Sequence, residues 1–246
     1  MKKTKLLTAG KTPYGVTQTE ALQSGKVDVM KRNEVLEKIK NTKIVAIIRG
    51  VEPEKCVKIA KALSLGGVEL VEVTFNQKDP KSFSDTAAAI SAIKAEVGDK
   101  MAVGAGTVLT LKQLKIAKAA GAEFIVSPDT NEAVIRKTVK LGMVSLPGAY
   151  SATEAVKAHN AGADYVKLFP CLDNAASYLK AIKAPLSHIK FLAVGGITAD
   201  NAADFIKAGA DGVGVGSSLV NKTYVENGEF DKLTELATRF VQNVKI

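Results

Sequence analysis

The chain has 246 residues, a formal charge of +9, and 46% apolar and 24% charged residues, the balance of an ordinary globular protein. No apolar run approaches the roughly 20 residues of a membrane span, the N-terminus lacks the apolar core of a signal peptide, and two cysteines make no disulfide framework; the expectation is a cytoplasmic protein with no membrane partner. Basic and acidic residues are interspersed and aromatics are only 5%, whereas a nucleic-acid surface gathers cationic and stacking groups in one place, so the surplus is read as a field that draws anionic metabolites.

Residues 1–29 are polar and carry neither helical nor strand period. They read as an extension or leader, set apart from a single domain over 30–246. At Met30 a short amphipathic helix begins and leads into a strand. From residue 43 an alternation then runs to the end of the chain. Short apolar runs, "IVAIIR" (44–49), "ELVEVTF" (69–75), "MAVGAG" (101–106), "FIVSP" (124–128), "VSLPG" (144–148), "YVKLFP" (165–170), "KFLAVGG" (190–196) and "GVGVGS" (212–217), are separated by helical patterns such as "EKCVKIAKALSLGG", "LKQLKIAKAAGA" and "NAADFIKAGA". Most of these patterns end in Gly or Gly-Ala, as helix C-caps do. With "EFDKLTELATRFVQNVK" as the last helix, the count is eight strand–helix pairs.

Strands apolar on both faces and alternating with helices imply a parallel sheet. Eight such units in about 200 residues fit an α/β fold of the (β/α)8 TIM-barrel class, with an open doubly wound sheet as the alternative. A barrel gathers its chemistry at the C-terminal ends of the strands. At or near those ends stand Arg49, Glu72, Thr107, Ser127-Pro128, Pro147-Gly148, Lys167, "VGG" (194–196) and "GVGS" (214–217).

Lys167 is the anomaly among them, a lysine inside an apolar strand. Its ordinary reading is a stem packed in the wall with the ammonium in solvent. Inside a barrel strand, burial instead disfavours the ammonium and lowers its pKa. The neutral amine can then attack a ketone to form a Schiff base, whose iminium draws electrons from a neighbouring carbon–carbon bond. Glu72 is the one acid within the core of a strand run. It is a candidate proton carrier, or the structural partner of Arg49 or Lys167. Gly195-Gly196 and Gly216-Ser217 lie after strands 7 and 8, where backbone N–H groups hold a phosphate in this fold without a cationic side chain. His159 and His188 are the only histidines, and no His/Asp/Glu spacing suits a metal, so neither metal nor cofactor is expected. Cys171 reads as a loop residue lining the site.

Taken in order, Arg49, "EVTF", "GAGTVLT", "FIVSP", "PGAYSATE", "VKLFP" and "VGGI…GVGSSLV" resemble the 2-keto-3-deoxy-6-phosphogluconate and 4-hydroxy-2-oxoglutarate aldolases over residues 30–246. The resemblance implies a Schiff-base (class I) aldolase, a carbon–carbon lyase that acts on a small keto acid and assembles as a homotrimer. It places the Schiff base on Lys167 and general acid/base work on Glu72. Substrate contacts fall on Arg49 and Thr107, with Pro128, Phe169 and Val194 beside them. The phosphate grip falls on Gly195, Gly196, Gly216 and Ser217. Where many members have "PTGG" this chain has Ala193-Val194-Gly195-Gly196, and Asn76 stands where some carry arginine. Those features, with Arg49-Gly50, resemble the phosphogalactonate branch, while Thr74 resembles the gluconate branch. The expected reaction is cleavage of the phosphogluconate-type substrate, with 4-hydroxy-2-oxoglutarate as a second substrate. The galactonate epimer, isomerase or synthase chemistry on the same barrel, and an assembly subunit built on the scaffold are the alternatives.

Overall fold

The computed structural model describes residues 18–245 other than Asp173, with side chains described from residue 30 onward. Residues 1–17 of the N-terminal segment set apart above lie outside the described residues. The strands are β1 (Ile44–Ile48), β2 (Leu70–Thr74), β3 (Ala102–Gly106), β4 (Phe124–Val126), β5 (Val144–Leu146), β6 (Gly148–Ala149), β7 (Val166–Leu168), β8 (Phe191–Val194) and β9 (Gly212–Val215). Helix α1 (Gln18–Thr42) precedes them. Between and after them come α2 (Pro53–Leu65), α3 (Phe83–Val97), α4 (Leu111–Ala119), α5 (Glu132–Lys140), α6 (Ala152–Asn160), α7 (Ala175–Lys183), α8 (Ala202–Lys207), α9 (Lys222–Asn227) and α10 (Phe230–Val244).

All the strand pairings are parallel, in the order β5-β4-β3-β2-β1-β9-β8-β7-β6. The two ends of that order are consecutive in the chain. β5 and β6 are one stave broken at Pro147, which has no N–H to give to a ladder. Below the break the stave pairs with β4, and above it with β7. Lys167 N–H donates to the Pro147 carbonyl at 2.8 Å and helps to close the ring. The fold is therefore a (β/α)8 barrel, and the run read as the fifth strand is two short strands around a proline.

Local signals explain where the helices start and stop. Thr110 with Gln113, and Ser151 with Glu154, form capping boxes at α4 and α6, each satisfying two otherwise orphan N–H groups. Pro53 opens α2, at a position that needs no N–H. Gly121 and Gly162, just past α4 and α6, take left-handed backbone at φ 92° and 104°, a region glycine enters without a Cβ clash. α1 starts at Gln18, ahead of the Met30 start read from periodicity. Residues such as Gln, Glu, Ala, Leu and Lys favour helix by intrinsic propensity even where no apolar stripe marks it.

The sheet is buried on both faces, and each face has its own core. Outside, Ile44, Ile48, Val71 and Val103 pack against Ile59, Leu63, Ile90 and Ile93 of the surrounding helices. Inside, Val45, Leu70, Phe124, Leu146, Tyr165 and Leu192 fill the barrel together with Val35 and Ile39 of α1. α1 thus stoppers the N-terminal end. Arg32 of α1 pairs with Asp164, whose other oxygen accepts from Ser145 N–H at 2.9 Å. With that end filled, the open end of the barrel is the C-terminal one.

Candidate active site

Among the described residues the buried acidic and basic side chains are Glu72 and Lys167, both inside the barrel wall. Glu72 occupies the middle of β2, level with Ile47 of β1 and Gly104 of β3. Lys167 occupies the middle of β7, level with Leu192 of β8. They are 2% and 5% exposed, and both face a small apolar chamber walled by Val45, Val126, Leu146 and Leu192. Burial holds the Lys167 amine below the ordinary lysine value of 10.5; the Glu72 carboxylate opposes that shift and Arg49 adds to it. Burial likewise raises the Glu72 carboxyl above its ordinary 4.5, against the pull of Lys167 and Arg49. Both groups are pushed toward their neutral forms, because desolvation outweighs their mutual attraction. Glu72 Oε2 has no hydrogen-bond partner. A buried acceptor left unmade costs about 1–3 kcal/mol, and sites of chemistry are where such a cost is kept.

Packing around the pair is tight on the carboxylate side. A Cβ at Gly106 would stand 2.7 Å from Glu72 Cδ and Oε2, so only glycine leaves the carboxyl its place. Lys167 Nζ lies over the Phe169 ring, 4.5 Å from its centroid. Above the amine opens a cavity of about 870 Å³, with Lys167 at its floor and Arg49, Phe169 and Val194 in its walls.

Gly195, Gly196, Gly216 and Ser217 line the same cavity. Gly195 and Gly196 are consecutive left-handed residues, at φ 106° and 64°. Their loop is clasped by Asn201, whose Nδ2 donates to the Gly196 carbonyl at 2.9 Å and whose Oδ1 accepts from Thr198 N–H at 2.8 Å. Ser218 Oγ donates to the Ile197 carbonyl and so ties the loop after β9 to the loop after β8. Two loops fixed in this way present backbone amides at the cavity wall, which is the physical basis of an anion cradle.

Thr107 is absent from the wall of that cavity, but Arg49 Nη2 donates to its Oγ1 at 3.3 Å. Thr107 adopts φ 56°, an uncommon conformation for a β-branched residue. Gln77 Nε2 holds its carbonyl at 2.8 Å, and the buried Gln113 holds Gln77 in turn at 2.9 Å. Pro128 is not among the cavity residues. Its backbone instead backs onto Gly148, where a Cβ would come within 2.4 Å of it. Sequence reasoning missed the Gln77–Gln113 support of Thr107 and two rim lysines, Lys55 and Lys222. The capping-box spacing from Thr110 to Gln113 was a legible signal for one of these residues. Among the described residues no group of three or more His, Cys, Asp or Glu could hold a metal ion, and no helix is long and apolar enough to cross a membrane.

The chain is similar to known proteins over most of its length. The chain is 36% identical to 2-dehydro-3-deoxy-6-phosphogalactonate aldolase of Escherichia coli K12, over 81% of its own length and 93% of the relative's. It is 32% identical to 2-dehydro-3-deoxy-phosphogluconate aldolase of Treponema pallidum, over 86% and 98%. A solved Legionella pneumophila KDPG aldolase superposes with a TM-score of 0.72 at 28% identity, over 82% of this chain and 95% of that one. That structure holds pyruvate as a covalent carbinolamine intermediate. The family model for KDPG and KHG aldolases matches residues 35–236, almost the whole barrel. The chain is thus an aldolase, a carbon–carbon lyase, and belongs to the KDPG and KHG aldolase family.

Proposed function

We propose that the chain is a class I aldolase that cleaves 2-keto-3-deoxy-6-phospho sugar acids to pyruvate and glyceraldehyde 3-phosphate, and 4-hydroxy-2-oxoglutarate to pyruvate and glyoxylate. The observation that carries the proposal is the buried Lys167 amine, at the floor of a cavity lined by two glycine loops, facing the same chamber as a Glu72 carboxyl whose Oε2 has no partner. In its neutral form Lys167 adds to the C2 ketone to give a carbinolamine. Loss of water, with a proton supplied by Glu72, leaves the iminium. Removal of the C4 hydroxyl proton by the Glu72 carboxylate breaks the C3–C4 bond; the aldehyde departs and the electron pair forms an enamine. Protonation at C3 and attack of water on the iminium then release pyruvate and restore the amine.

In this reading Arg49, held by the Thr107 hydroxyl, meets the keto-acid end, and Gly195, Gly196, Gly216 and Ser217 meet the phosphate. Phe169 and Val194 form the walls between, with Pro128 supporting the loop opposite. Val194 lies in the cavity wall and offers no hydroxyl for the substrate's own, and this supports a second reading in which the galactonate epimer is preferred. Borohydride reduction in the presence of pyruvate tests the chemistry. A stable adduct on Lys167, lost in Lys167→Ala, is expected. An adduct on another lysine, or none, refutes it, and the absence of any adduct is what isomerase or synthase chemistry gives. Pyruvate release from the two epimeric phosphates and from 4-hydroxy-2-oxoglutarate ranks the substrates.

A further inference from the structure

We infer that Lys55 supplies a side-chain cation to the anion cradle and makes the site selective for keto acids that carry a phosphate dianion; this rests on the aldolase reading above. The sequence of the glycine loops implies an anion site made of backbone alone. The topology adds a charge to it. β1 pairs with β9, with Ala46 level with Val215, so the segment after β1 lies beside the Gly216–Ser217 loop. Lys55, in the first turn of α2, lines the cavity together with Gly196, Gly216 and Ser217.

Two observations mark Lys55 among the cations that line the cavity. It is partly buried and, among the described residues, has no carboxylate within the 4.0 Å of an ion pair, although Glu52 and Glu54 are its near neighbours in sequence. Lys222, the other rim lysine, is 85% exposed and is paired with Glu226 at 3.5 Å. Lys55 also stands where the helix dipole disfavours a cation, since carboxylates are the favoured residues of a first turn. A local rule broken without a compensating partner is the mark of a functional position. An anion held at Gly216 and Ser217 would be that partner. Of the remaining charges facing the cavity, Arg49 is engaged with Thr107 and Lys167 lies at the floor, while Glu52 and Glu226 repel an anion. Lys55 is thus the cation free to answer a second negative charge.

The test uses the full chain. One measurement is the ratio of kcat/KM for 2-keto-3-deoxy-6-phosphogluconate to that for its unphosphorylated counterpart. The other is the Kd of inorganic phosphate by calorimetric titration. Lys55→Ala should lower the ratio about three- to fivefold and weaken phosphate binding by a similar factor, the scale of a partly screened ion pair. Lys55→Arg should keep most of both, and Lys222→Ala should change either by less than about twofold. A ratio and a phosphate Kd in Lys55→Ala within twofold of the wild type overturn the inference. An equal fall in Lys222→Ala also overturns it, since that is the effect of a general positive field. If the wild type forms no pyruvate adduct and cleaves neither substrate, the aldolase reading fails, and the phosphate Kd alone still decides Lys55.

Discussion

Gly106 ends β3 against the Glu72 carboxyl, and an alanine there tests whether the carboxyl must stand where it does. The added Cβ would lie 2.7 Å from Glu72 Cδ and Oε2 and 2.9 Å from Thr74 Cγ2. Ordinary contact begins near 3.4 Å, so the carboxyl must retreat by about 0.7 Å. Gly106 is not among the residues at positive φ, so the alanine meets a steric cost without a backbone one. Overpacking of this kind costs about 1–3 kcal/mol, or a fall in Tm of about 2–12 °C for a chain of this length. A displacement approaching 1 Å at a proton-transfer group costs about a hundredfold in rate. Gly106→Ala should therefore melt a few degrees lower, by scanning calorimetry or circular dichroism, and lose about two orders of magnitude in kcat for pyruvate release. Pyruvate should still be trapped on Lys167, more slowly. A variant with lowered Tm and unchanged kcat would separate the carboxyl's position from the chemistry and refute the reasoning.

Glu72→Gln, nearly the same in shape, should keep the fold and lose roughly two to four orders of magnitude in turnover; near-normal turnover would leave Glu72 a structural role only. Lys167→Met should abolish the borohydride adduct and raise stability at neutral pH by about 1–3 kcal/mol, because a buried amine is replaced by an apolar chain. The folded-state pKa of Lys167 lies below its ordinary 10.5, so the unfolded chain binds the extra proton between the two values, and wild-type stability rises with pH across that window. The advantage of Lys167→Met in chemical-denaturation curves should accordingly shrink as pH approaches 10.5, and a constant or growing advantage would contradict the shift. Val194 Cγ2 would meet a Cβ at Gly214 at 2.7 Å, so the residue is closely held and threonine of the same shape fits. Val194→Thr should move preference toward the gluconate epimer by up to about tenfold, roughly 1.4 kcal/mol, and an unchanged ratio of specificity constants would make Val194 wall packing.

The barrel was legible because its period is simple. Strands buried on both faces are apolar throughout, and glycines punctuate the helices between them. The same regularity exposed Lys167 and Glu72, since a charge inside such a run breaks the pattern. Features that rest on contacts between distant segments stayed hidden. Nothing in "VSLPG" says that Pro147 splits the stave and hands its pairing from β4 to β7. Gln77 lies 30 residues from the carbonyl it holds. Lys55 is one of 34 basic residues, and the pairing of β1 with β9 is what sets it beside the Gly216–Ser217 loop. The first turns of α1 have propensity without periodicity, so a method that reads stripes starts the helix late.

The stopper formed by Val35 and Ile39 of α1 makes the barrel a blind tube rather than a channel. Whatever enters by the mouth must leave by it, and in the proposed reaction the order of departure follows from depth. The fragment bonded to Lys167 is lowest, and the phosphorylated aldehyde lies between it and the mouth. The aldehyde must go first, and only then can water descend to hydrolyse the iminium and free the pyruvate. Release is therefore a queue imposed by architecture, and product-inhibition patterns in steady-state kinetics read its order directly.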